Sequence, residues 1–165
     1  MKANEIKTYA GIGSRETPPN VLRLMGRIAV RLEELGWTLR SGGANGADAA
    51  FGEAVERKEI YVPWNGFNGV SGGIVPEFSI VEPMAAAIHP AWHMCNQGAR
   101  KLHARNICQI LGLNADSPCK MVICWTPGGN IQGGTATAIR LAMSHNIPVF
   151  NLYKGQAELA AFMNQ

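Results

Sequence analysis

The chain has 165 residues, which is enough for one well-packed core and too few for two ordinary domains. The formal net charge is only +3 and the basic residues form no run, so the composition favours an anionic small ligand and does not require nucleic acid. Hydrophobic residues make up 47% and charged residues 16%, so we expect one globular domain over residues 1–165 that associates with itself as a dimer.

The cysteines and the N-terminus indicate a cellular compartment. The four cysteines have no C-x-x-C spacing, which favours reduced thiols. Residues 1–5 lack the apolar segment of a signal peptide, and no stretch approaches the roughly 20 apolar residues of a membrane span. We therefore expect a cytoplasmic protein without membrane contact.

The first half of the chain alternates short apolar runs with helical periodicity. This order predicts right-handed crossovers and a single-domain α/β fold: a doubly wound, mostly parallel Rossmann-like sheet with helices on both faces. Thr17 is the expected N-cap of the first helix. The predicted elements are strands at residues 7–12, 37–40 and 59–62 and helices at about 17–35 and 47–57.

The second half opens with an irregular insertion at about residues 63–95. Its glycines and aromatic residues are typical of a functional or mobile loop, since long stretches without regular structure are uncommon inside a compact domain. Regular patterns then return. They predict helices at residues 97–111, 135–144 and 158–163 and strands at residues 121–125 and 149–152.

Three glycine-bearing segments each follow a predicted strand and precede a helix, an arrangement typical of nucleotide phosphate sites. In the first, Gly11 and Gly13 permit a tight turn, after which Ser14 and Arg15 lie where a phosphate would bind. An ordinary turn with a surface arginine is the alternative. The G-x-G-x-x-G fingerprint of dinucleotide sites is absent, because residue 16 is Glu16.

The second segment holds Ser41, Gly42, Gly43 and Asp48. Its glycines offer backbone N–H donors to a phosphate. The aspartate, at the start of a helix, could accept a hydrogen bond from a ribose hydroxyl or from loop amides, or could serve only as a partner of the helix dipole. Both interpretations of Asp48 remain open.

The third segment indicates an anion site most strongly. Gly133 and Gly134 precede Thr135 and Thr137 at the head of a helix, so that backbone amides and hydroxyls converge on one position. Capping of the helix by Thr135 alone would leave the double glycine unexplained.

Arg105 and Asn106 share a predicted helix, from which the arginine could reach over the strand ends and bind a phosphate with two hydrogen bonds. A surface arginine is the alternative.

His89 and His93 have the spacing of a zinc-binding pair on a helix, but Pro90 interrupts it and no third ligand is evident. The sequence predicts no metal site and no cofactor.

These segments resemble the Rossmann-like domain of the DNA-processing protein A (Smf) family and, more widely, the superfamily that includes the Lonely Guy phosphoribohydrolases. The resemblance covers nearly the whole chain and implies a Rossmann-like fold. Residues 9–15 resemble the family's G-S-R turn, residues 41–48 its S-G-x-A-x-G-x-D segment, Arg105 and Asn106 its R-N pair, and residues 134–142 the start of its later helix.

The chain also departs from both branches. DNA-processing proteins usually carry further domains, for which 165 residues leave no room, and this suggests a phage or accessory-gene version. The catalytic glutamate of the phosphoribohydrolases falls on Ala138 here, and alanine cannot stabilise an oxocarbenium-like charge. Glu77 or Glu82, in the irregular insertion, could supply a carboxylate instead.

Three functions remain open. The leading expectation is a domain that binds a nucleoside phosphate or an ADP-ribose-like ligand at the carboxyl edge of a parallel sheet. The alternatives are a nucleotide N-glycosidase and a single-stranded DNA-binding protein. The last ranks third because the chain has no interleaved stripe of basic and aromatic residues.

Overall fold

A computed structural model describes residues 6–165. In this part of the chain five strands form one sheet: β1 (Thr8–Gly11), β2 (Thr38–Ser41), β3 (Lys58–Ile60), β4 (Met121–Cys124) and β5 (Val149–Asn151). Their order across the sheet is β3–β2–β1–β4–β5, and all neighbours are parallel. The predicted α/β Rossmann-like fold is confirmed.

Within residues 6–165, six α-helices connect and flank the strands. They are α1 (Pro19–Glu34), α2 (Ala47–Gly52), α3 (Phe78–Ile88), α4 (Gln97–Leu111), α5 (Ala136–Ser144) and α6 (Ala157–Met163). None of the described helices is long and apolar enough to cross a membrane.

Each face of the sheet carries its own hydrophobic core, because successive strand side chains point to opposite faces. Tyr9 and Ile123 pack on the face covered by α1, α2 and α6. Ala10 and Val122 pack on the face covered by α3, α4 and α5. Both faces are covered by helices, which explains why the central strands β1 and β4 are buried at every position.

The strand order also creates a crevice. The chain leaves β1 towards β2 and β3 on one side, and later returns to place β4 on the other side of β1. Loops at the carboxyl ends of β1 and β4 therefore diverge, which is the usual position of a ligand site in an open parallel sheet.

The predicted insertion at 63–95 contains a helix that the sequence pattern did not reveal. α3 begins after Glu77, whose carboxylate accepts a hydrogen bond from the N–H of Ser79, and it continues through Pro83. A proline inside a helix removes one backbone hydrogen bond and normally predicts a break. Here the packing of Val81 and Ala85 in the core maintains the helix.

Two predicted helix boundaries were wrong. α2 ends at Gly52 and not near residue 57, because a carboxylate oxygen of Glu33 accepts the N–H groups of Glu56 and Arg57 at 3.1 and 2.6 Å and holds the following segment outside the helix. At the start of α1 the N-cap is Pro18, not Thr17, whose hydroxyl donates to the carbonyl of Ser14 at 2.6 Å.

Candidate ligand-binding cleft

A cleft of about 650 Å³ lies at the carboxyl edge of the sheet, between the turn after β1, the face of α4 and the loop before α5. Of the fourteen residues that the sequence predicted as ligand-binding, nine line it: Gly13, Ser14, Arg15, Asp48, Arg105, Asn106, Gly133, Gly134 and Thr135. The other five do not: Gly11, Ser41, Gly42, Gly43 and Thr137.

The turn after β1 uses its polar groups within the protein. The amide of Ser14 donates to the carbonyl of Trp125 at 3.1 Å, and the Ser14 hydroxyl accepts the N–H of Glu16 at 2.9 Å. A Cβ on Gly13 would come within 2.8 Å of the same carbonyl, so this glycine permits close packing of the β1 and β4 loops. Arg15 is exposed at the cleft and offers the charge of this turn.

The loop after β2 begins with buried residues and is internally bonded. The Ser41 hydroxyl donates to the carbonyl of Gly11 at 2.5 Å, and the amide of Ala44 donates to the carboxylate of Asp48 at 3.2 Å. A Cβ on Gly42 would lie within 2.8 Å of the side chains of Asp48 and Arg105. The glycines predicted to contact phosphate here serve close packing beneath the cleft instead.

Arg105 is a buried structural residue as well as part of the cleft wall. Its Nη1 donates to the carbonyls of Gly42 and Tyr61, and its Nε donates to the side-chain oxygen of Asn106 at 2.9 Å. The guanidinium also lies over the ring of Phe67, with 5.5 Å between its central carbon and the ring centre. Arg105 therefore does not swing over the strand ends as the sequence suggested.

Asp48 and Arg105 form a buried, electrostatically coupled pair. Burial raises the pKa of Asp48 to about 6, against the opposing effects of the Arg105 charge and the hydrogen bond from Ala44. Burial likewise lowers the pKa of Arg105, while the carboxylate of Asp48 opposes this shift. At neutral pH Asp48 is mostly ionised, so its charge offsets that of Arg105, and the exposed side chains of Arg15 and Glu16 also line the cleft.

The loop before α5 differs, because its glycines are exposed. A Cβ on Gly133 or Gly134 would meet no atom within 4 Å, so neither glycine is required for packing. Their N–H groups donate to no other described residue, and they precede the N-terminus of α5, where the helix dipole favours an anion. The side-chain amide of Asn106 fixes the loop by donating to the carbonyl of Gly134 at 2.6 Å.

Thr137 and the two candidate glutamates lie apart from the cleft. The Thr137 hydroxyl is hydrogen-bonded at 2.9 Å to Nδ1 of His103. Glu77 caps α3, and neither Glu77 nor Glu82 lines the cleft. Ala138 is fully buried. The geometry thus supplies no carboxylate from the insertion for cleavage of a glycosidic bond.

His103 and Gln109 also line the cleft from α4, and neither was predicted as a site residue. Gln109 could have been found from spacing, because residues 102, 105, 106 and 109 follow the i, i+3, i+4, i+7 pattern of one helix face. Once Arg105 and Asn106 were selected, the same face predicted Gln109.

Comparison with known proteins supports the fold but gives little detail about function. No protein-family model matches the chain, and no curated protein matches it significantly. A solved structure of DNA processing protein A from Helicobacter pylori, from work on its single-stranded DNA binding mode, is similar with a TM-score of 0.60 and 19% identity. The match covers 93% of this chain and 73% of that one. The chain therefore has a fold like that of DNA processing protein A, as its motifs implied.

Proposed function

We propose that the cleft binds single-stranded DNA, with one phosphate of the strand between Arg15 and the loop at Gly133 and Gly134. The observation that carries this proposal is the exposed pair of glycine amides at the head of α5, across the same cleft from an exposed arginine. A protein of the same fold binds single-stranded DNA, which supports this function over the free-nucleotide function that the sequence favoured.

The charges of the cleft predict a weak dependence of binding on salt. Asp48 offsets Arg105, and Arg15 shares the cleft lining with the acidic Glu16, so few cationic contacts to a phosphate are available. For single strands the logarithm of affinity falls with the logarithm of salt with a slope of about −0.7 per neutralised phosphate. One or two such contacts give a slope of roughly −0.7 to −1.4, far shallower than that of a protein with a basic stripe.

Fluorescence anisotropy with a labelled oligothymidine tests this proposal. Replacement of Arg15 by alanine should weaken binding by about tenfold, as expected for loss of a charge-assisted hydrogen bond, and should flatten the salt slope. Arg27→Ala is the matched control, because Arg27 is exposed on α1, which packs on the opposite face of the sheet from α4. Equal affinities of the two variants would contradict the proposal.

A free nucleoside phosphate is the second candidate ligand, and the size of the cleft favours it. Its volume of about 650 Å³ lies within the usual range of small-molecule sites, roughly 300–1,000 Å³. Calorimetric titration with nucleoside monophosphates and ADP-ribose separates the candidates. If a mononucleotide binds at least as tightly as the oligonucleotide and displaces it, the free nucleotide is the ligand. If only the oligonucleotide binds, the DNA function is supported.

A further inference from the structure

A histidine and cysteine cluster lies where the end of α3 meets α4. His89 follows the last residue of α3, Cys95 precedes the N-cap of α4, and His103 lies on α4 itself. One ring nitrogen of each histidine and the sulfur of Cys95 all lie within 4.8 Å of one another. The His89 Nε2 and Cys95 Sγ atoms are 3.8 Å apart. This is close to the nitrogen–sulfur distance in a tetrahedral zinc site, where zinc lies about 2.0 Å from nitrogen and 2.3 Å from sulfur.

The surroundings of His103 suit a metal ligand. Its Nδ1 is hydrogen-bonded to the Thr137 hydroxyl at 2.9 Å, so a proton on Nδ1 leaves the lone pair of Nε2 for an ion. A neutral ring oriented by a second hydrogen bond is the usual state of a metal-binding histidine.

His89 needs one rearrangement. Its Nδ1 accepts the amide hydrogen of Ala91 at 3.0 Å, so the neutral ring carries its proton on Nε2. Binding of an ion at Nε2 moves that proton to Nδ1 and opens the hydrogen bond to Ala91. The thiol of Cys95 releases its proton to solvent as the metal–sulfur bond forms.

The segment that carries Cys95 is already held against α4. The side chain of Arg100 donates to the carbonyl of Trp92 at 3.2 Å and lies over the Trp92 ring, 5.2 Å from its centre. The amide of Cys95 donates to the same carbonyl at 3.0 Å. These contacts hold the segment that carries Cys95 close to α4.

We propose that His89, Cys95 and His103 bind one zinc ion per chain, leaving a fourth position for water. Two nitrogens and one thiolate are ligands that zinc and cobalt share, and three protein ligands with an open position are compatible with a tetrahedral ion. The ion links the end of α3 to the middle of α4, beside the cleft that His103 also lines. Zinc binding here is inferred from the three side chains alone and does not rest on the proposed DNA binding.

Titration of chelator-treated, reduced protein with Co²⁺ tests the site. The expected result is a thiolate-to-cobalt absorption band and visible bands of a tetrahedral ion, saturating at one equivalent and abolished by added Zn²⁺. Cys95→Ser should lose the thiolate band, and His103→Gln should weaken binding by more than about tenfold. Thr137→Val, which removes only the hydrogen bond that orients His103, should weaken it about tenfold.

His93→Gln is the matched control, since His93 is exposed in the same segment and lies outside the cluster. Its cobalt spectrum and affinity should equal those of the parent protein. Circular dichroism establishes that each variant is folded. Absence of the thiolate band at one equivalent of Co²⁺, retention of that band in folded Cys95→Ser, or its loss in His93→Gln would each overturn the proposal.

Discussion

Two glycine loops at the same edge of the sheet serve different purposes. In the loop after β2, Gly42 packs against Arg105 and Asp48 with no space for a side chain. In the loop before α5, Gly133 and Gly134 face open space and leave their N–H groups without acceptors in the described part of the chain. The first glycine loop supports the cleft and the second offers donors to a ligand.

This difference separates two reasons for glycine that look alike in a sequence. A glycine can be required because another group occupies the volume of its Cβ or because a ligand must approach the backbone. A positive φ, which Gly133 has at 71°, favours glycine as well. Substitutions in the first loop should therefore change stability, and substitutions around the second should change binding.

Arg105→Ala should destabilise the protein by about 3–5 kcal/mol, because it leaves the carbonyls of Gly42 and Tyr61 and the charge of Asp48 buried without their partner. Urea unfolding measures this loss. The exposed Arg15→Ala should change the free energy of unfolding by less than about 0.5 kcal/mol. Equal stability of the two variants would contradict the structural role of Arg105.

Asp48 should make the protein less stable as the pH rises from about 4 to 6. Burial raises its pKa from 3.8 to about 6, so the folded state retains a proton that the unfolded chain has released in this window. The cost reaches about 3 kcal/mol above pH 6. Asp48→Asn should remove this contribution.

The measurement is the difference between the parent and Asp48→Asn in free energy of unfolding at several pH values. The difference is needed because burial also lowers the pKa of His103 from its ordinary value of 6.5. Below pH 6.5 this shift makes both proteins more stable as the pH rises, which opposes the effect of Asp48. Parallel pH profiles of the two proteins would contradict a raised pKa of Asp48 in the folded state.

Gly42→Ala should cost about 1–3 kcal/mol through overpacking, whereas Gly134→Ala should change stability by less than about 0.5 kcal/mol. The new Cβ at position 42 meets side-chain atoms of Gln109, Asp48 and Arg105, while the one at position 134 meets nothing within 4 Å. Thermal or urea unfolding compares the pair. A larger loss at position 134 would reverse the division between the loops.

The sequence was sufficient to predict the fold, because alternating apolar strands and amphipathic helices follow from local periodicity. It was insufficient for α3, where Pro83 hides a helix that depends on core packing. The sequence also predicted that Arg105 lies in the site. It could not predict that Arg105 is buried, since the carbonyls that bind this residue are 44 and 63 residues away in the chain. The cluster of His89, Cys95 and His103 likewise forms only when α3 packs on α4.

Hydrogen exchange with and without a single-stranded oligonucleotide would show which loops of the cleft contact the strand. In the free protein the amides of the loop before α5 should exchange quickly and those of residues 41–48 slowly. With the oligonucleotide, protection should increase at residues 13–16 and 132–135 and remain unchanged along α1. Protection confined to α1, or none at residues 132–135 despite saturated binding, would contradict the assignment of the cleft as the binding site.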